Sequence, residues 1–483
     1  MSFKAIYHSF LFFCGVILLV VLLILNFIYP LTLGKTNILY SDFGKFYHSQ
    51  QLFIQGKNIY APVYFVKNKQ PTSIQSTQTK PVASKIAKLS GNLNPPFFTL
   101  VSFPLAYLSY PHALVVWTLI SMIGGALGIL LLQKKQDPKN FSVACALLLL
   151  IALFSYFPSF VSLQFGQVSL LLIPLLVYGG SAARDEKVIC AAIFLGIATS
   201  LKPFIGLFLF YFLMRKEWRG LCVFLLTLLS CALIAAIFLG FESYVAYYHA
   251  CQQITWAASS WNVSFYGFLL RLFGGIENNT ALLPIPGLIT ILYPTVAGLF
   301  FLAILKFLRP APSIPTDRKQ DLDFCIMIVG MLLLSPLGWL YYFPLLGIPI
   351  LILWKFANKG IYPIALPLFL MTCLFLSNIP ISLYNSDLIQ GKNVVRIFFG
   401  SSLYFLVLIG LTNLLFWLRF SGKINKNSST KRKPFEKTPS SLLLLVGIMV
   451  FLPAYQGIGK ATHHWMLHSK QDSQQYALVA HQD

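Results

Sequence analysis

At 483 residues, 57% hydrophobic, 15% aromatic and only 10% charged, the chain departs from the composition of soluble globular proteins. Apolar stretches near the ~20 residues needed to cross a bilayer recur from end to end, and they are continuous rather than alternating, which predicts helices and not barrel strands. The formal charge of +22 lies mainly in short loops between apolar runs, where Lys and Arg fix orientation, and this argues against nucleic-acid binding.

The first apolar run, roughly residues 10–30, is too long for a signal-peptide core and lacks a small-x-small cleavage site, so it reads as an uncleaved span. Further spans are predicted at roughly 111–132, 141–158, 168–183, 188–201, 203–214, 220–240, 284–307, 322–334, 340–355, 361–377, 395–418 and 441–457. The predicted fold class is an all-α, polytopic helical membrane protein with about 12–13 transmembrane helices. The basic stretches 134–139, 184–187, 215–219, 306–319 and 419–437 are assigned to the cytoplasm. That assignment puts the N-terminus inside, the C-terminus outside and the loop 31–110 outside.

The organisation predicted is a membrane core over 1–345 with its large first outer loop at 31–110, further transmembrane helices over 346–458, and a polar outer tail over 459–483. Within the loop, 40–56 has helix-like apolar spacing and ends at Gly56, while the polar, Pro/Ser/Thr/Gln-rich stretch 66–85 is predicted to be flexible. Residues 94–110 are broken by Pro104 and hold too few apolar residues to cross, so they are predicted to lie at the outer interface.

The chain has 14 carboxylates against 36 Lys and Arg. Asp42, in Y-S-D-F-G-K-F-Y-H-S, is the first of them and sits among aromatics close to a span end. An apolar outer-face setting suits a general base, but Ser41 or Asp42 serving only as a helix N-cap explains the residue equally well. Lys202, in A-T-S-L-K-P-F-I-G-L, interrupts one long apolar stretch ahead of Pro203. It either snorkels to headgroups or holds an anionic group such as a phosphate. Arg271 lies in an apolar run after W-N-V-S (261–264), and an interfacial anchor or a phosphate partner accounts for it. Asn262-Val-Ser264 and Asn278-Asn279-Thr280 match the N-glycosylation pattern, which is commonplace. The eight cysteines lack C-x-x-C spacing and the eight histidines lack H-E-x-x-H, so both read as non-ligands.

Taken in order, these pieces resemble glycosyltransferase family 87 of the GT-C superfamily. In particular they resemble its polyprenol-phosphate-mannose-dependent α-mannosyltransferases. The resemblance rests on D-F-x-x-F-Y with G-K-N-I-Y (42–47, 56–60), N-P-P-F with P-L-A (94–97, 104–106), F-G-Q-V-S (165–169), L-K-P followed by R-K-E-W-R, W-N-V-S…R, and S-P-L-G-W. It implies a GT-C-type core that moves a hexose, mannose-like, from a polyprenyl-phosphate sugar to a hydroxyl of a lipid or glycan acceptor. The reaction would proceed on the extracytoplasmic side of a bacterial inner or plasma membrane, without cofactor or required metal. Asp42 then corresponds to the general base, Lys202 and Arg271 to donor-phosphate ligands, and Tyr47, Asn94, Gln167, Asn262, Trp339 and Tyr341 to sugar or acceptor contacts. One departure is visible: family members often carry a His shortly after S-P-x-x-W, whereas Trp339 is followed here by Leu340, Tyr341 and Tyr342. Two other readings stand beside this one. A secondary transporter or lipid flippase is suggested by the Lys-Pro broken helix. A catalytically altered family member is suggested by the missing His.

Overall fold

A computed structural model describes residues 3–36, 41–61, 63–67, 85–89, 91–252, 254, 256–274, 281–309, 316–358, 364–380, 401–421 and 476–478. Among the described residues the membrane part of the chain is helical. The helices are α1 (Phe3–Thr36), α2 (Asp42–Ile54), α3 (Pro96–Ser102), α4 (Tyr110–Gln136), α5 (Val143–Ser155), α6 (Phe157–Gln164), α7 (Ser169–Arg184), α8 (Val188–Leu201) and α9 (Phe208–Met214). They continue with α10 (Trp218–Leu239), α11 (Glu242–Gln252), α12 (Phe265–Leu269), α13 (Ile289–Leu308), α14 (Thr316–Leu334), α15 (Gly347–Asn358), α16 (Ala365–Asn378) and α17 (Leu403–Phe420). Among the described residues six helices are long and apolar enough to cross a bilayer. A seventh span arises if α5 and α6, bent by 61° at Tyr156, are taken together. Shorter apolar helices, α7, α8 and α16 among them, fill out the bundle of an all-α polytopic membrane protein.

Helices pack closely where small residues let backbones approach, since lipid supplies no hydrophobic drive between them. α4 lies against α7, α7 against α8, and α8 against α10. At the first of these contacts a Cβ on Gly128 would stand 2.7 Å from Ile173 Cγ2 and 2.8 Å from Pro174 N, so glycine is what the approach requires. The large loop after α1 is not wholly irregular. β1 (Val63–Lys67) and β2 (Lys85–Leu89) pair antiparallel, and β3 (Tyr476–Leu478) joins the other edge of β1. The flexible stretch expected at 66–85 falls largely outside the described residues, and its ends are strand. The span expected at 441–457 also lies outside them. The Pro104 break appears as expected, with α3 giving way to a 3₁₀ turn over Phe103–Tyr107.

The two ends of the bundle differ in chemistry. α4 runs about 40 Å at 1.5 Å per residue from Tyr110, beside α2, to Gln136. At the Gln136 end a buried ion network centres on α14. Asp323 receives Arg419 Nε at 3.0 Å and Lys319 Nζ at 2.7 Å, with Arg215 Nη1 at 3.9 Å. Gln136 Oε1 accepts from Arg184 and Lys355, both at 2.7 Å, and its amide donates to Asp321. The opposite end holds a cavity.

Candidate active site

The cavity begins with the start of α2. Ser41 is its N-cap, accepting from the Gly44 N–H at 3.0 Å, so Asp42 in the first turn is released from the capping role. Lys45, one turn on and so on the same face, pairs with Asp42 Oδ1 at 2.9 Å. The Gln167 side-chain amide donates to Asp42 Oδ2. α2 is docked by its backbone: the Phe43 N–H donates to the Phe165 carbonyl at 3.0 Å. Phe43 is fully buried and stacks on Trp117, whose indole N–H donates to the Gly166 carbonyl at 2.7 Å.

Lys202 enters from another direction. Pro203 has no N–H to continue α8, so the helix stops at Leu201 and a 3₁₀ turn, Pro203–Leu207, leads into α9. The break turns Lys202 into the bundle, where it is buried with its ammonium 5.4 Å from the centre of the Tyr342 ring. Among the described residues no hydrogen bond or ion pair engages that ammonium. Asn94 precedes Pro95 and Pro96, which start α3, and it is held by its backbone. Its N–H donates to Asn92 Oδ1 at 2.9 Å and its carbonyl accepts from Tyr60 at 2.7 Å. Burial pushes the Tyr60 phenol well above its ordinary pKa, so it stays a donor. Both polar atoms of the Asn94 side chain, and Gln167 Oε1, are buried without a hydrogen-bond partner among the described residues.

These groups share a cavity of about 540 Å³. Its lining includes the polar Asp42, Lys45, Asn94, Gln167 and Lys202 and the apolar Phe204, Leu207, Phe210, Met331 and Leu334. Trp339 and Tyr341, their rings stacked at 6.1 Å, close it together with Tyr342. Among the described residues no group of three His, Cys, Asp or Glu side chains lies close enough to hold a metal.

Three of the residues singled out in the sequence stand off the cavity wall. The Tyr47 hydroxyl donates to the Leu108 carbonyl at 2.9 Å and its ring packs on Phe43 and Tyr110, which fastens α2 to the segment before α4. Asn262 is fully buried and donates to the Ala257 and Pro336 carbonyls, both at 2.9 Å, while its oxygen accepts from Ser264. Around it W-N-V-S pairs with P-L-G-W-L through Val263 N to Gly338 O at 2.7 Å and Leu340 N to Trp261 O at 2.9 Å. Arg271 braces the same junction, donating to the carbonyls of Ser259 at 2.7 Å and Asn262 at 2.8 Å and to Ser402 Oγ at 3.0 Å. Its guanidinium therefore organises backbone, and the junction it braces carries Trp339 into the cavity. Lys45 and Tyr342 are wall residues that sequence reasoning passed over. For Lys45 the i, i+3 spacing from Asp42 was an available signal.

An apolar helical bundle with a mostly apolar cavity, and one carboxylate among the described residues on its wall, defines an integral membrane protein with a candidate site at one end. The family model of glycosyltransferase family 87 matches residues 92–347, more than half of the chain, and the chain belongs to that family. It is thus a membrane glycosyltransferase. The match includes Asn94, Gln167, Lys202, Asn262, Arg271, Trp339 and Tyr341, and it begins after α2, so Asp42 stands outside it. No curated protein and no solved structure matches the chain.

Proposed function

We propose that the enzyme transfers a hexose, mannose-like, from a polyprenyl-phosphate sugar to a hydroxyl of a lipid or glycan acceptor at the extracytoplasmic face, with Asp42 as general base. The charge on the cavity wall is the observation that carries this reading. Asp42, Lys45 and Lys202 are its charged residues; the first two pair, leaving Lys202 and one net positive charge. A lipid phosphodiester carries one negative charge and matches it, whereas a nucleotide sugar or a lipid pyrophosphate brings more. The apolar wall suits the lipid chain, and the Trp339 and Tyr341 rings offer flat faces to a sugar. Asn94, with an open donor and acceptor, is suited to sugar hydroxyls. The basic loops cluster at the end opposite the cavity, which supports an outward-facing site.

In the reaction the acceptor hydroxyl gives its proton to Asp42 as its oxygen bonds to the anomeric carbon. The bond from that carbon to the phosphate oxygen breaks, and the polyprenyl phosphate departs with the electron pair and a second negative charge. Lys202 acts most strongly at that moment, when charge develops on the leaving phosphate in a desolvated site. One base and one cation suffice for inverting transfer; a hydrolase-type acid pair is unnecessary.

The test is transfer from a panel of polyprenyl-phosphate sugars to extracted lipid acceptors by the purified protein. Wild type is expected to form a glycosidic bond, and Asp42→Asn to fold normally while losing at least 1,000-fold in kcat, on the order of what removing a base costs. Full activity in Asp42→Asn removes the base role. Sugar-lipid movement across proteoliposomes without bond formation points to transport instead.

A further inference from the structure

The F-G-Q turn is built more firmly against α2 than a substrate-contacting loop needs to be. Phe165 accepts the Phe43 N–H, and the Gly166 carbonyl accepts from Trp117. Gly166 sits at φ +65°, and a Cβ there would lie 2.4 Å from Phe43 Cβ. The Gln167 N–H closes back on the Ser162 carbonyl at 2.8 Å. One backbone bond to α2, one to Trp117 on α4 and one back to Ser162 on α6 thus fix where the Gln167 side chain begins. That side chain, 3% exposed, spends its amide N–H on Asp42 Oδ2. The other oxygen, Oδ1, is taken by Lys45 from within α2.

We infer that Gln167 is a positioning residue for Asp42, fixing from the bundle side the carboxylate that Lys45 holds from the helix side. This rests on the reading of Asp42 as the base. A carboxylate has about four lone-pair sites; with one on each oxygen engaged, its plane is set and the remaining sites are directed to an incoming hydroxyl. An amide suits this work because it donates a hydrogen bond without charge. It orients the base without neutralising it, and it has no proton to exchange with it in the pH range of the reaction. The lysine opposite supplies the charge balance. With one Nε2 hydrogen committed to Asp42, the second Nε2 hydrogen and Oε1, which has no partner among the described residues, are what this side chain has left for other contacts.

The experiment uses the full chain in detergent. Gln167→Leu is expected to lower kcat about 10- to 100-fold, the effect of misplacing a reacting group by about 1 Å, with donor and acceptor KM within about twofold of wild type. Binding of farnesyl phosphate, an isoprenoid monophosphate lacking the sugar, is expected to be unchanged. Gln167→Glu, which sets a second carboxylate beside Asp42, is expected to lose more kcat than the leucine variant. Thermal unfolding of Asp42→Ala, Gln167→Leu and the double variant is expected to show non-additive Tm losses, a readout that needs no activity. A raised KM with kcat retained in Gln167→Leu makes Gln167 a sugar ligand and overturns the inference, as do additive Tm losses. An active Asp42→Asn protein overturns the base reading and this inference with it. Inactive Asp42→Asn with additive Tm losses overturns this inference alone.

Discussion

Lys202 is the cavity cation with no carboxylate pairing it among the described residues, and the consequence can be measured. Lys202→Met keeps the apolar stem and removes the charge; loss of a charge-assisted contact is worth about 2–3 kcal/mol. On the proposed function the donor KM is expected to rise about 30- to 100-fold and kcat to fall as well, because there the charge acts on the leaving phosphate too. Lys202→Arg is expected to restore much of the KM. Gly166 is the second telling position. An alanine there must hold φ near +65° and push against Phe43, so Gly166→Ala is expected to cost about 2 kcal/mol of stability, seen as a lower Tm, and to cost activity through α2. Asp42 was legible in the sequence because the chain is so poor in acid, and Lys202 because Pro203 follows it. Arg271, singled out as another solitary charge, stands off the cavity wall. Its partners are carbonyls of Ser259 and Asn262 and the hydroxyl of Ser402, 131 residues away, and no charge pattern announces them.

At the scale of elements, two choices left open in the sequence are resolved by geometry. Ser41, not Asp42, caps α2, since the Ser41 hydroxyl reaches the Gly44 N–H. Lys202 does not snorkel outward; the turn after Leu201 leads it to the Tyr342 ring. The helix over 42–54 and its end before Gly56 followed from apolar spacing and a glycine, which are local signals. The pairing of W-N-V-S with P-L-G-W-L did not, because each half is a short irregular stretch and the pairing is a tertiary choice. The strands β1 and β2 were missed for a similar reason: they flank a polar stretch, and β1 takes a second partner from the far end of the chain.

Over the whole molecule, α14 joins the two ends, with Asp323 in the ion network and Leu334 on the cavity wall. Nothing in the sequence pattern marks Asp321 and Asp323 as buried among cations from four other segments. Their partners lie on α7, α17 and the turn after α9, and Gln136 on α4 ties in Lys355, 219 residues away. Neutralising Asp323 leaves Lys319, Arg215 and Arg419 close together and unopposed. Asp323→Asn is expected to destabilise by about 3–5 kcal/mol, the cost of breaking a buried pair from one side, observed as a fall in Tm or loss of folded yield. Replacing Asp185, exposed in a loop beside the network, is expected to change Tm little.

The apolar wall formed by Phe204, Leu207, Phe210, Met331 and Leu334 bears on how such an enzyme meets its substrate. The lipid-linked donor of the proposed function would reach this wall from the bilayer, a two-dimensional solvent, and not from water. What the site samples is then the donor's share of the surrounding lipid. Adding detergent or inert phospholipid at constant bulk concentration dilutes that share, so turnover belongs on a scale of surface mole fraction, and the composition of the membrane becomes part of the rate law.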